Sequence, residues 1–254
     1  MYTKPRVIPS LLIENGDLVK TERFKKRTYI GDPINAVKIF NEEEADELCL
    51  LDISVKKNDD INFSLLEDIA TEAFMPLSYG GGIMDMDEVK KLFRIGFEKL
   101  IFNTALYEKP DLIREAVAFA GSQSIVASID VRRDLFGKTV CYTDHGCKKI
   151  KSNIIDYLHQ VENLGVGEIL LQSIDNDGVM KGYDYSLIGN ITSNTILPVI
   201  CLGGAGNLSD MVKAVNECGA HAVAAGSMFV YYGERKAVLI NYPTEQEQAE
   251  AGIF

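Results

Sequence analysis

The feature that most constrains this chain is an alternation, sustained along its length, of short β-branched or Leu-rich runs with longer amphipathic stretches. Parallel strands joined by crossover helices produce that pattern. Strand candidates stand at residues 6–12, 47–53, 77–79, 99–102, 125–131, 167–171, 199–202 and 222–225. Helical periodicity falls at 33–44, 63–73, 87–95, 111–120, 153–164, 185–191 and 208–218. Asp32-Pro33 and Lys109-Pro110 place proline in first helical turns, and Ser152 stands where it can cap the fifth helix. Eight βα units in 254 residues predict an α/β fold of the closed (β/α)8 TIM-barrel class, as one domain over 1–254. A doubly wound open sheet is the alternative, but no G-x-G-x-x-G opens the first helix.

The two halves resemble each other. Val7-Ile-Pro-Ser-Leu-Leu-Ile13 aligns with Ile125-Val-Ala-Ser-Ile-Asp-Val131, and Ser78-Tyr-Gly-Gly-Gly82 with Cys201-Leu-Gly-Gly-Ala205. Gly96-Phe-Glu-Lys-Leu-Ile-Phe-Asn103 aligns with Gly219-Ala-His-Ala-Val-Ala-Ala-Gly226. Three matches in the same order predict a barrel built from two half-barrel repeats.

Charge narrows the partners. With 26 basic and 37 acidic residues the net charge is −11, the wrong sign for neutralising a nucleic-acid backbone or an anionic membrane. Neither partner is expected, and an anionic ligand must be held by local donors. No apolar run approaches the roughly 18 residues of a membrane span, and residues 1–6 lead into no secretory pattern, so a cytoplasmic location is expected. Cys49, Cys141, Cys147, Cys201 and Cys218 form an odd, irregular set without C-x-x-C, which reads as reduced, mostly core cysteines. No metal and no cofactor is expected.

In such a barrel, reactive groups belong at the carboxyl ends of the strands. Gly80-Gly-Gly82 with Asn103 would form one backbone nest for phosphate, and Gly203-Gly-Ala-Gly206 with Gly226-Ser227 a second; Asp175-Asn-Asp-Gly178 is a third glycine loop. Tight turns alone would also explain a single cluster, whereas two clusters related by the repeat imply a ligand with an anionic group at each end. Asp130 ends an apolar run and shares a face with Val126 and Ser128, so it should point into the mouth. Asp177 and Asp52 are further acid/base candidates, Asp52 equally a loop-ordering group. The repeat partner of Asp130 is Leu12, which cannot carry a proton.

At the opposite end, Arg6, Glu47, Lys99 and Glu168 each begin a strand and point inward. They would ring the barrel floor, either as a paired ionic plug or as a gate to whatever docks beneath. His145, His159 and His221 lack metal-ligand spacing and are poor site candidates. Arg23-Phe-Lys-Lys-Arg27 is a solvated segment or, with Lys20, a mobile lid that closes over phosphate.

On these motifs, with Gly16-Asp-Leu-Val-Lys20, Leu51-Asp-Ile53, Asn103-Thr-Ala105, Gly121-Ser-Gln123, Gly167-Glu-Ile-Leu-Leu171 and Ser173-Ile-Asp-Asn-Asp-Gly178, the chain resembles the HisF family from Arg6 to Val230. HisF is the cyclase (lyase) subunit of imidazole glycerol phosphate synthase. The resemblance implies a barrel that receives ammonia from a HisH-like glutaminase, with Asp130 and Lys20 as catalytic positions and Arg6, Glu47, Lys99 and Glu168 as the ammonia gate. It also implies a phosphorylated small-molecule ligand held by Gly81, Gly82, Asn103, Asp177, Gly178, Gly203, Gly204, Gly226 and Ser227. Two departures stand out: the family's first catalytic aspartate falls on Leu12, and Lys236-Ala-Val-Leu-Ile-Asn-Tyr-Pro243 replaces the usual amphipathic last helix. Both resemble the paralogue associated with surface-polysaccharide gene sets, which is thought to pass ammonia to a separate sugar amidotransferase. An ammonia-conducting subunit is the favoured expectation; a working cyclase in histidine synthesis and a phosphosugar-binding barrel with other chemistry are the alternatives.

Overall fold

A computed structural model describes residues 4–55, 60–233 and 235–254; the first three residues of the 1–6 segment lie outside it. Strand β1 (Arg6–Glu14) turns back into β2 (Asp17–Lys20) and β3 (Thr28–Gly31). Then follow α1 (Pro33–Glu42), β4 (Leu48–Asp52), α2 (Phe63–Glu72), β5 (Leu77–Gly80), α3 (Met86–Ile95), β6 (Lys99–Phe102), a short α4 (Thr104–Glu108) and α5 (Pro110–Ala120). The second half opens with β7 (Ile125–Arg133), which turns back into β8 (Thr139–Thr143) and β9 (Lys148–Lys149). It continues through α6 (Ile154–Glu162), β10 (Glu168–Ser173), α7 (Tyr185–Thr192), β11 (Val199–Leu202), α8 (Leu208–Asn216), β12 (Ala222–Ala225) and a short α9 (Ser227–Val230). A small ribbon, β13 (Tyr231–Tyr232) with β14 (Ala237–Val238), and α10 (Glu245–Ala251) complete the chain.

Eight parallel strands close in the order β1, β4, β5, β6, β7, β10, β11, β12 and back to β1. The barrel expectation holds, and the open sheet is excluded by the β12–β1 and β7–β10 pairings. Two-residue periodicity sorts each strand's side chains: in β1, Val7, Leu11 and Ile13 join the outer core beneath the helices, while Ile8 joins Val126, Leu170 and Ile200 inside the barrel. The halves repeat as expected. Strands β1 and β7 both span nine residues and both run into an antiparallel hairpin, while β6 and β12 both lead into a short helix.

Local chemistry explains most boundaries. The Asp32 side chain caps α1 by accepting from the Asn35 N–H at 2.9 Å, with Pro33 in the first turn. The Ser152 cap is corrected: Asn153, adjacent to the first helical residue and extended, accepts from the N–H groups of Ile155 and Asp156. Strands β1 and β7 outrun their expected ends because hairpin partners continue to pair with them. No long helix follows 236–243; instead Tyr242 donates its hydroxyl to the Val7 carbonyl at 2.9 Å, and α10 lies against α8. All five cysteines are free, with Cys49, Cys141 and Cys201 buried, Cys218 half-buried and Cys147 exposed. Among the described residues no helix is long and apolar enough to cross a membrane.

Candidate functional site

The floor is built from side chains at the amino ends of four strands. Arg6 reaches Glu47 with Nη1 and Glu168 with Nη2. Opposite it, Lys99 Nζ lies 3.0 Å from Glu47 Oε2 and 3.0 Å from Glu168 Oε2. Each carboxylate is therefore held by both cations, in a closed ring of alternating sign with no net charge. The two glutamate side chains are only 4% and 8% exposed, and ionised groups are tolerated at that depth only when paired. Burial works against the charge on Arg6, but Glu168 and Glu47 outweigh it and raise its pKa. Glu47 sits one residue before β4 rather than within it.

At the carboxyl ends two cavities adjoin. The larger encloses about 1100 Å³ of space open to solvent and is lined by Leu12, Asp52, Gly81, Gly82, Asn103, Thr104, Asp130 and Gln172. The smaller, about 390 Å³, is lined by Lys20, Asp177, Gly178, Gly203, Gly204, Gly226 and Ser227. Leu12 and Gln172 border both cavities. The nine residues expected to hold phosphate thus separate into three at the larger cavity and six at the smaller, with Gly81 and Asn103 of the first the repeat partners of Gly204 and Gly226 of the second. Glycine is required there by packing as well: at Gly82 (φ +67°) a Cβ would lie 2.1 Å from Val55 Cγ1, and at Gly204 (φ +118°) 2.2 Å from the Gly182 carbonyl oxygen. The Asn103 amide donates to the Ser128 carbonyl at 3.1 Å and the Tyr142 carbonyl at 3.4 Å, so this side chain ties the wall together.

Three acids occupy distinct environments. Asp130 is buried and accepts from the Ser128 hydroxyl at 2.9 Å. Burial pushes it up to about 7; the Ser128 hydroxyl opposes the rise and the Asp177 charge adds to it. At that value it can give and take protons near neutrality. Asp52 accepts from the Ser54 N–H at 2.9 Å and the Ser54 hydroxyl at 2.5 Å, the geometry of the loop-ordering alternative. Asp177 accepts from the Thr21 hydroxyl at 2.7 Å and the Phe24 N–H at 3.2 Å, while its carbonyl accepts from the Arg23 N–H at 3.0 Å. It latches the first loop. Burial raises its pKa, opposed by those donors and by Lys20.

Lys20 departs from expectation. It ends β2 and is buried, donating to the Ser10 carbonyl rather than riding on a lid. Burial lowers it to about 8, and the Asp177 and Cys49 charges pull it back up. The hairpin from β7 brings His145, exposed, to the rim of the larger cavity. His159 instead pairs with Glu162 at 2.9 Å, and His221 accepts from the Val199 N–H at 3.2 Å. Sequence reasoning missed Gln172, which inward periodicity from Glu168 through Leu170 reaches, and Thr104, which opens α4.

A family model described as histidine biosynthesis protein matches residues 6–236. The chain is 46% identical over 239 residues to the provisionally named imidazole glycerol phosphate synthase subunit hisF2 of Pseudomonas aeruginosa, covering 94% of this chain and 95% of that one. It is 46% identical over 242 residues to a provisionally named HisF subunit of Leptospira borgpetersenii, with coverage of 94% and 95%. To the imidazole glycerol phosphate synthase subunit HisF of Streptomyces griseus it is 40% identical over 230 residues, covering 90% and 91%. The barrel, its paired glycine nests and these matches over nearly the whole chain agree: the chain belongs to the HisF family of histidine biosynthesis proteins.

Proposed function

We propose that this chain is a cytoplasmic, single-domain barrel subunit that receives ammonia from a glutaminase at its floor, conducts it through the core and releases it at the mouth for amidation of a surface-polysaccharide sugar. The observation that carries this reading is Leu12 in the wall of the cavity that also holds Asp130. An acid/base pair has there lost one member, and each positioned proton-transfer group contributes about 10²- to 10⁴-fold in rate. Asp52 and Asp177 are engaged by Ser54 and by the first loop, and neither replaces the missing group. Two features support the conducting reading. The four floor residues form a closed ring of ion pairs, and Cys49 is buried inside the barrel with Ser78 and Ser10 as side-chain partners. The two glycine nests would take a phosphorylated small molecule, and the receiving enzyme is a separate sugar amidotransferase.

A second reading, a working cyclase, is favoured by Asp130 near 7 and Lys20 near 8 facing the same mouth, and by relatives named as synthase subunits. One assay decides. The purified chain, supplied with ammonium and the ribonucleotide substrate of the synthase, is expected to turn over far more slowly than about 1 s⁻¹, and Leu12→Asp to raise the rate. Wild-type turnover at or above that rate would establish the cyclase and refute the reading in which the ammonia is passed on to a separate sugar amidotransferase.

A further inference from the structure

This chain carries its charge unevenly. Segments 20–27 and 132–151 hold 11 of the 26 basic residues and 3 of the 37 acidic ones, so that 28 residues carry +8 and the remainder −19. Both segments belong to the mouth: the first ends β2 and forms the loop to β3, and the second is the hairpin that rises from β7 through β9. They touch, since a Cβ on Gly146 would lie 3.1 Å from Phe24 Cδ2. The contact sets the two segments side by side at the mouth, with Lys20 buried and the other basic residues partly or fully exposed. Arg27, Arg132, Arg133 and Lys148 pair with acids beside them, whereas Arg23, Lys25, Lys26, Lys138, Lys149 and Lys151 are exposed and have no acidic partner among the described residues.

The tip of the second segment adds an apolar anchor. Leu135 and Phe136 are 101% and 95% exposed. They are presented by a fixed turn, in which the Asp134 carboxylate accepts from the N–H groups of Phe136 and Lys138 at 2.9 Å each. Adjacent large apolar side chains held out on an ordered hairpin have little conformational entropy left to lose when a partner covers them. We propose that this basic face, with Leu135 and Phe136 at its tip, docks an acidic protein surface that covers the mouth, and that this protein is the enzyme that takes the ammonia.

Identification of the partner rests on the proposed function; the face itself does not. A phosphorylated small molecule would be held within the cavities, and neither Leu135 nor Phe136 lines them. A bilayer seated on the face would close the exit through which the ammonia is passed. A protein with an acidic rim and an apolar pocket meets both the charge and the anchor, and charge of this kind steers association and sets register.

The test uses the complex of this chain with its glutaminase, and a sugar amidotransferase from the same organism as the probe. The amidotransferase is expected to bind more weakly as salt rises, and about tenfold or more weakly after Leu135→Ser with Phe136→Ser. Binding is expected to be lost after Lys25→Glu, Lys26→Glu and Lys138→Glu together. Glutaminase affinity stays unchanged in both variants, because the floor is at the other end, and this shows that they are folded. Absence of wild-type binding, equal binding by the variants, or capture of the chain by phosphatidylglycerol vesicles through Leu135 and Phe136 would each overturn the proposal. If the amidotransferase binds this face but receives no ammonia, docking stands and the conducting function fails. Ammonia delivery with unaffected variants gives the converse.

Discussion

Replacing Lys99 by methionine keeps most of its aliphatic stem and removes one charge from the floor. Glu47 Oε2 and Glu168 Oε2 each lose an ion pair of 3.0 Å, and Arg6 alone then faces two carboxylates that are 4% and 8% exposed. Removing one partner from a buried pair costs about 3–5 kcal/mol. The lower end applies, about 3 kcal/mol, because Arg6 still reaches both glutamates and is itself 30% exposed. At about 2–4 °C per kcal/mol for a chain of this size, the thermal midpoint should fall by about 6–12 °C. Adding Glu168→Gln restores neutrality, leaving the Arg6–Glu47 pair, and should recover more than half of that loss. Differential scanning fluorimetry and urea unfolding of the wild type, both single variants and the double variant complete the cycle, with an expected coupling above about 1.5 kcal/mol. A Lys99→Met shift below about 2 °C, or single effects that add to within about 0.5 kcal/mol, would show that the four charges behave as independent solvated groups and that the ring is no cooperative unit.

Burial raises Asp130 from an ordinary 3.8 to about 7, so the folded chain keeps a proton that the unfolded chain has released. The stability this group provides at low pH is lost as pH rises from about 4 to about 7. Asp130→Asn cannot ionise, so its midpoint relative to wild type should climb across that window and then level off; a constant difference from about pH 4 to 8 would refute burial as the cause. Gly178→Ala places a Cβ 2.2 Å from the Thr21 carbonyl oxygen at φ +69°, which should lift the first loop off its latch. Trypsin should then cut within residues 23–27 several-fold faster than in wild type, and an unchanged rate would show that the Asp177 contacts do not hold the loop.

Much of the barrel was legible because the barrel strands obey a period of two and the crossover helices open on a capping side chain or a proline. The β6, β11 and β12 boundaries agree with the sequence expectation residue for residue. The floor ring was legible for the same reason: Arg6, Glu47, Lys99 and Glu168 stand at the entrance of inward-facing strands, and closing the barrel brings inward residues of one layer together. That the two glycine clusters line cavities at the carboxyl ends of their strands was legible through the half-barrel repeat, which aligns Gly81 with Gly204. Lys20 was grouped with a mobile lid because it closely precedes the basic run at 23–27, whereas the β1–β2 hairpin carries it down to the Ser10 carbonyl. The Asp177 latch was invisible, since its donors Thr21 and Phe24 are more than 150 positions away along the chain.

The sequence by itself determined the alternation of strands and helices, the inward face of β1 and β7, the seven crossover helices to within two residues at each end, and a leucine, which cannot carry a proton, at the repeat partner of Asp130. Those properties follow from local periodicity, capping chemistry and residue identity, which need no knowledge of distant segments. Only the tertiary structure decided which carboxylate each floor cation meets, that Leu12 and Gln172 divide the mouth into two cavities, and that two basic segments a hundred residues apart meet side by side at Phe24 and Gly146. Those contacts arise when β12 pairs with β1 and β7 with β10. Barrel closure brings the ends of non-neighbouring strands together at a fixed stagger, and spacing along the chain carries no record of that stagger.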